Sequence, residues 1–234
     1  MKIAIFSDIH GNKYSFLKAL ESMRSKNVQQ YLFCGDICGY YYHQNEIIDI
    51  FRQIDNLKCI LGNHDKMFLN IMDGKFKKSH YSSKYGKSLE KLAVSISEEN
   101  LNFLRNLESE YSFIIDDLKI EMVHGTPWDN LNEYCYPDSD FSRYEHLEYD
   151  YIFQGHTHYR MYKKINDLMI VNPGSIGQPR DGKLPSYVLL DTSTKKLEFI
   201  SIKYDIEELI YEINENNDPD YLIEVLKRSN KSEL

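Results

Sequence analysis

The sequence predicts an α/β fold built on a parallel sheet, and three observations carry that reading. Short apolar runs alternate with amphipathic helical stretches over the first sixty residues, in the order β-α-β-α-β. That order calls for parallel strands joined by crossover helices. Later apolar runs come in pairs around tight polar turns, as hairpins do. Finally, strand after strand ends in Gly, Asp, Asn or His, residues that a core does not ask for.

Residues 2–6 read as a buried strand, since Ile3, Ala4, Ile5 and Phe6 follow one another without polar relief. In 13–26, Phe16, Leu17, Leu20 and Met23 fall on one helical face. "QYLFCGD" is a second buried strand, 46–53 a helix, and "LKCILGNHD" a third strand ending in a turn. Residues 66–109 are helical and charged and contain no strand; Ser97 is an N-cap, with Glu98 and Glu99 in the turn that follows. "YSFIIDDLKIEMVHG" is a hairpin about Asp116-Asp117, and "YIFQGHTH" a buried strand with a polar end. "YRMYKKINDLMIVNPGS" turns at Asn166-Asp167, and "SYVLLDTSTKKLEFISIKY" forms a third hairpin. Two short helices are expected near 205–214 and 218–228. With no repeat or linker, residues 1–234 read as one domain, in which 66–109 is a helical insertion beside the active site.

Composition narrows the function. A hydrophobic share of 42% supports a sizeable core, and the net charge of -8 argues against dedicated nucleic-acid or anionic-membrane binding. The 19 tyrosines read as compositional drift. Cys34, Cys38, Cys59 and Cys135 form no CxxC pair, and Cys34 and Cys59 sit in apolar runs as small hydrophobes. No apolar stretch nears the ~20 residues of a membrane span, and the chain opens directly into a strand with no leader. A reduced, cytoplasmic protein is expected.

The polar strand ends form five clusters: Asp8-Ile9-His10, Gly35-Asp36, Gly62-Asn63-His64-Asp65, His124-Gly125 and Gly155-His156-Thr157-His158. Open α/β sheets bind ligands at the carboxyl ends of their strands. A carboxylate at the end of a buried strand is costly unless positive charge stands beside it. Any one cluster alone reads as an ordinary turn; all five together point to metal. Mixed oxygen and imidazole donors suit Mn, Fe, Co, Ni or Zn better than Ca or Mg. Seven candidate ligands can hold two ions if one carboxylate bridges. His43, His80 and His146 belong to no cluster and are expected to be structurally idle, and Trp128 is either a pocket wall or an ordinary loop aromatic.

The series D-x-H, G-D, G-N-H-D, H-G and G-H-T-H, in this order, resembles the calcineurin-like metallophosphoesterase superfamily over residues 1 to about 180. "NPGSIGQPRDG" resembles its prokaryotic phosphodiesterase branch. The resemblance implies a four-layer α/β/β/α sandwich of two mixed sheets flanked by helices, with a dinuclear centre at the strand ends. It implies Asp8, His10 and His158 on a first metal, Asn63, His124 and His156 on a second, and Asp36 as the bridge. Two divalent ions are implied, Mn2+ first, with Fe, Zn, Ni or Co as alternatives. A bridging hydroxide would attack a phosphodiester, and His64 would contact the phosphate and protonate the leaving oxygen. Asn63 and His64 would thus meet the substrate too.

One departure bears on substrate. The protein phosphatase branch reads G-D-x-x-D-R-G, whereas this chain has Gly39 and Tyr40 where that branch has the histidine-orienting Asp and the phosphate-clamping Arg. Arg180, in the stiff turn "QPRDG", is the expected replacement clamp; Arg160 is the runner-up. If Arg180 instead pairs with Asp181, it only holds the turn. Asp65 is too near in sequence to be a clear choice for holding His64. A small phosphate-ester substrate is expected. Phosphomonoesters, dinucleotide polyphosphates and a non-catalytic scaffold role, as in the retromer-subunit branch, stay open. Oligomeric state is not legible.

Overall fold

The computed structural model describes residues 1–229; the last five residues of the 1–234 span lie outside the described residues. The first half runs β1 (Lys2–Phe6), α1 (Lys13–Ser25), β2 (Gln30–Phe33), α2 (Gln44–Phe51) and β3 (Leu57–Cys59). Four helices follow: α3 (Asn63–Met72), α4 (Lys78–Tyr85), α5 (Ser88–Ser95) and α6 (Glu98–Arg105). Strands β4 (Glu110–Ile115), β5 (Leu118–Val123), β6 (Tyr151–Phe153), β7 (Arg160–Ile165), β8 (Leu168–Pro173), β9 (Ser186–Asp191) and β10 (Lys196–Ser201) come next. Helices α7 (Glu207–Glu215) and α8 (Tyr221–Ser229) end the described chain.

The strands form two five-stranded mixed sheets, ordered β10-β9-β1-β2-β3 and β4-β5-β6-β8-β7. β1, β2 and β3 are parallel, as their crossover helices require. Strand alternation divides the core. Ile3, Ile5, Leu32 and Cys34 face the second sheet and meet Ile120, Met122, Tyr151, Phe153 and Val171. Ala4, Phe6, Tyr31 and Phe33 face the other way, under Phe16, Leu20, Ile47, Phe51 and the α3–α6 segment. Both faces of β1 are buried, so its unrelieved apolar run is what a central parallel strand needs. Burying each such side chain contributes about 1.5–3 kcal/mol before entropy is counted. The outer face of the second sheet is covered by Phe141, Tyr144 and a 3₁₀ turn, Ser142–His146, rather than by a long helix.

The three hairpins fall where the turn residues put them. Asp116 and Asp117 both take positive φ, 47° and 63°, which matches the twist of a two-residue hairpin. Several helix boundaries differ from the sequence expectation: the tail helices lie at Glu207–Glu215 and Tyr221–Ser229, α2 ends at Phe51, and two helix starts also move. α2 begins at Gln44 rather than 46, and the helix after "LG" begins at Asn63 rather than 66. The second shift has a clear cause: the Asp65 carboxylate accepts the Gly62 backbone N–H at 3.0 Å and so nucleates a helical turn at Asn63. His43 is not idle. It bonds Glu46 at 2.9 Å and Glu212 at 2.8 Å, tying α7 to the start of α2. His80 lies in α4 against Phe76, and His146 ends the 3₁₀ turn. Trp128 is 41% exposed, with the Arg143 guanidinium 3.8 Å over its ring.

Candidate metal centre

Five side chains reach one point because their backbones are bent there. Asp8, His10, Asp36, His156 and His158 all sit at positive φ, between 50° and 67°. That region is sparsely used by residues other than glycine and costs about 1–3 kcal/mol each. The flanking glycines contribute in two ways. Gly35 takes a left-handed φ of 94° itself. Gly62 instead provides room, because a Cβ there would lie 2.0 Å from Oδ1 of Asp36.

Seven side chains converge. Nε2 of His10 lies 3.0 Å from Nε2 of His158, and Oδ1 of Asp8 lies 3.3 Å from the latter. On the other side, Oδ1 of Asn63 lies 3.0 Å from both Nε2 of His124 and Nδ1 of His156. Oδ2 of Asp36 stands between the two groups, 3.7 Å from Nε2 of His10 and 3.2 Å from Nε2 of His124. Asp8, His10 and His158 form one set able to hold an ion; Asp8, Asp36 and His124 form another. Asp8 thus reaches towards both groups.

The donor set fits cations on two counts. Each imidazole has its far nitrogen on a backbone carbonyl: His10 on Cys38 at 2.8 Å, His124 on Cys34 at 2.8 Å, His158 on Gln178 at 2.6 Å and His156 on Asn132 at 3.2 Å. A carbonyl only accepts, so in the neutral rings the proton is on the far nitrogen and the near nitrogens present lone pairs. Nε2 of His10 and Nε2 of His158 face each other across 3.0 Å, a gap that a proton or a metal ion fills. The second count is Oδ2 of Asp36, which is buried, accepts no well-formed hydrogen bond, and has only the imidazoles of His124 and His10 near it, at 3.2 Å and 3.7 Å. A buried carboxylate so placed needs positive charge beside it, from a protonated His124 or from a metal ion that replaces that proton.

Protons show the same demand. Burial works against the Asp8 and Asp36 charges, but the surrounding imidazoles outweigh it and hold both carboxyls below the usual range. Burial also works against charge on His124, yet Asp36 overrides it and takes the imidazole up to about 9. Burial takes His156 and His158 down to about 4. Below pH 9, then, a metal must displace the proton on His124. Loading at pH 7.5 should release about one proton per chain, and affinity should rise with pH and level off near 9. Calorimetry in buffers of different ionisation enthalpy checks this; heats independent of buffer would count against it.

Asp36, Asn63, His156 and His158 floor a pocket of about 210 Å³, walled by Tyr40, His64, Lys84, Tyr85, Tyr134 and Arg180. His64 is buried, and burial drives its pKa well below the ordinary value. Asp65 does not hold it. That carboxylate accepts the backbone N–H groups of Asp36 at 3.0 Å, Gly62 at 3.0 Å and Cys38 at 2.7 Å, and so stitches the two ligand loops together. Arg180 reaches the pocket, its Nη2 donating to Tyr40 Oη at 2.6 Å and to Gln178 Oε1 at 3.2 Å. Its pairing with Asp181 is not found. Arg160 takes that carboxylate, Nε to Oδ2 at 3.0 Å, and is thereby held away from the centre.

Trp128 is not among the pocket residues. Tyr81, Lys84, Tyr85 and Tyr134 escaped sequence reasoning. Tyr134 stacks on His156 at 4.0 Å, Tyr85 lies 5.2 Å from His64, and Tyr81 Oη is 3.0 Å from Nδ1 of His64. No spacing marks them, and among 19 tyrosines they carried no signal.

The sequence model of the calcineurin-like phosphoesterase superfamily domain matches residues 1–195. Uncharacterized protein MJ0912 of Methanocaldococcus jannaschii is 31% identical, over 96% of this chain and 96% of its own. Phosphodiesterase MJ0936 of the same organism is 27% identical, over 84% of this chain and 96% of its own. A metallophosphoesterase from Sphaerobacter thermophilus shares the fold, with a TM-score of 0.81, 23% identity and coverage of 97% and 98% of the two chains. A matched domain spanning most of the chain, over the site geometry described above, places this protein in the calcineurin-like phosphoesterase superfamily.

Proposed function

We propose that the protein is a metal-dependent phosphodiesterase working at a dinuclear centre. The observation that carries this reading is the convergence of Asp8, His10, Asp36, His124 and His158 into two overlapping sets able to hold an ion, with Nε2 of His10 and Nε2 of His158 facing each other across 3.0 Å. The seven side chains would divide as Asp8, His10 and His158 on one ion and Asn63, His124 and His156 on the other, with Asp36 between them. When bound, two divalent ions, Mn2+ first among them, supply Lewis acidity to the phosphate and to attacking water. Asn63 contributes a neutral oxygen, which keeps negative charge low enough to admit an anion. His64 faces the pocket to contact the phosphate and protonate the leaving oxygen. The segment 66–109 shapes the pocket through Lys84 and Tyr85, within a single domain.

Arg180 supports a diester in particular. Its guanidinium is mostly enclosed, yet its hydrogen bonds go to neutral oxygens, and among the described residues no carboxylate pairs with it. Such a group is ready for the second non-bridging oxygen of a phosphodiester. Arg180→Ala should cost about 1.5–3 kcal/mol of kcat/KM, and Arg180→Lys should raise KM several-fold with metal content unchanged. If both variants only lower Tm, the clamp assignment is wrong.

The name of the relative MJ0936 supports the same activity. Among the described residues no helix is long and apolar enough to cross a membrane, and a cytoplasmic setting belongs to the same proposal. The test is one screen with Mn2+, Ni2+, Co2+, Zn2+ and Mg2+. The substrates are bis(p-nitrophenyl) phosphate, p-nitrophenyl phosphate and a dinucleoside polyphosphate. Fastest turnover of the diester is expected. Preference for another class would change the substrate, and inertness with every metal would favour a scaffold.

A further inference from the structure

His64 needs something to hold its ring, and the usual kind of partner, a carboxylate, has no place here. Gly39 runs directly beneath the ring with φ of 120°. A Cβ there would lie 2.6 Å from Nδ1 of His10 and 3.1 Å from Nδ1 of His64, so the backbone leaves no room for a side chain. Asp65 spends both oxygens on backbone donors. The partner comes from elsewhere in the chain, on α4.

We propose that Tyr81 is the positioning residue for His64, its hydroxyl holding Nδ1 so that Nε2 is the nitrogen offered to the substrate. Oη of Tyr81 lies 3.0 Å from Nδ1, and among the described residues His64 is its one hydrogen-bond partner. Both side chains are buried, at 1% and 5% exposure. Tyr40 and Tyr85 pack on the same imidazole, at 5.0 Å and 5.2 Å, and Tyr81 packs on Tyr85 at 4.9 Å. The ring is thus held by one polar contact inside an aromatic shell.

A hydroxyl suits this duty differently from a carboxylate. It accepts from Nδ1–H both in the imidazolium and in the neutral Nδ1–H ring left once the Nε2 proton is given up, and it can turn to donate to Nδ1 when the neutral ring carries its proton on Nε2. The ring therefore keeps one orientation through the transfer of its Nε2 proton to a leaving oxygen. Burial keeps the Tyr81 hydroxyl protonated, so it adds no negative charge to those of Asp8 and Asp36. The helix bearing Tyr81 is anchored from the end of the chain. Asp218 accepts the Lys87 N–H at 2.9 Å just beyond α4, and Tyr221 Oη donates to the Lys84 carbonyl at 3.4 Å. These contacts lie beyond residue 195, where the matched domain ends, so the C-terminal helices help to hold His64 in place.

This inference rests on the phosphoesterase reading for its kinetic consequence but not for the contact itself, and two measurements separate them. In zinc-loaded protein, the ring 15N resonances of His64 should report a hydrogen-bonded Nδ1 in the wild type and a changed one in Tyr81→Phe. A wild-type Nδ1 exchanging freely with solvent overturns the contact, with no variant needed. In the Mn2+-loaded enzyme, Tyr81→Phe should lower kcat about 10–100-fold on a dinucleoside monophosphate, whose leaving group needs a proton. The loss should be much smaller on bis(p-nitrophenyl) phosphate, with KM and metal content held. In a His64→Ala background the same change should cost nothing further. Equal losses on both substrates, or a full loss in that background, overturn the positioning role. A wild type inert on both diesters defeats the phosphodiesterase reading while the nitrogen spectra still decide the contact.

Discussion

Asp36→Asn should abolish two-metal loading and lower turnover by at least about 10³-fold, roughly 4 kcal/mol of barrier. Few isosteric changes cost so much, and the two carboxylate oxygens explain why this one does. Oδ1 accepts the His64 backbone N–H at 2.8 Å, while Oδ2 alone faces both imidazole groups. An amide cannot serve both ends. With its NH2 towards His64, two donors oppose each other; with its NH2 towards the imidazoles, the donor faces the cations. The substitution also removes the charge that raises His124 and offsets the cations. Elemental analysis after reconstitution, alongside kcat, checks this. Two ions per chain in the variant, or a loss under tenfold, would sink the bridging role.

The second large effect is expected from His64→Ala, at about 10²–10⁴-fold in kcat on substrates with poor leaving groups. Metal content should stay intact, because the converging nitrogens belong to His10, His124, His156 and His158. His64 is buried, and its pKa lies below the ordinary value, with burial as the first cause and Asp36 opposing it. A depressed pKa makes the imidazolium a strong acid but sparsely populated in the free enzyme, until a phosphate anion enters the pocket and favours the charge. The alkaline limb of the kcat profile, where this acid loses its proton, should therefore lie at higher pH than that of kcat/KM, since the first reports the complex and the second the free enzyme. Nitrophenolate leaves without a proton, so its esters should lose far less. Equal losses for good and poor leaving groups would remove the general-acid role.

Much of this centre was legible in the sequence, for a physical reason. Strand ends are short-range features, and Asp8-x-His10, Gly35-Asp36 and His156-x-His158 each carry donor, spacing and turn chemistry within three residues. A parallel sheet then brings its carboxyl ends together without further instruction. The hairpins were legible likewise, because Asp116-Asp117 supplies the positive φ that the turn requires. What escaped were contacts made across the fold. Tyr81 lies 17 residues from His64 on a separate helix, and nothing in "KSHYSSKYG" distinguishes it from a surface tyrosine. The competition between Arg160 and Arg180 for Asp181 was equally hidden, since both are close in sequence to the same centre and only the packing of β7 decides it. The start of α3 was misjudged because Asp65 caps its own helix while bonding the Asp36 loop, and only the first of those duties is local.

The most direct test of the dinuclear reading is anomalous diffraction from crystals of the full chain reconstituted with Mn2+, collected at the manganese edge. Two peaks about 3.5–4 Å apart are expected, the spacing of a bridged pair. They should lie on either side of Oδ2 of Asp36, one among Asp8, His10 and His158 and the other among Asn63, His124 and His156. A single peak, or two peaks with Asp36 bound to only one, would contradict it.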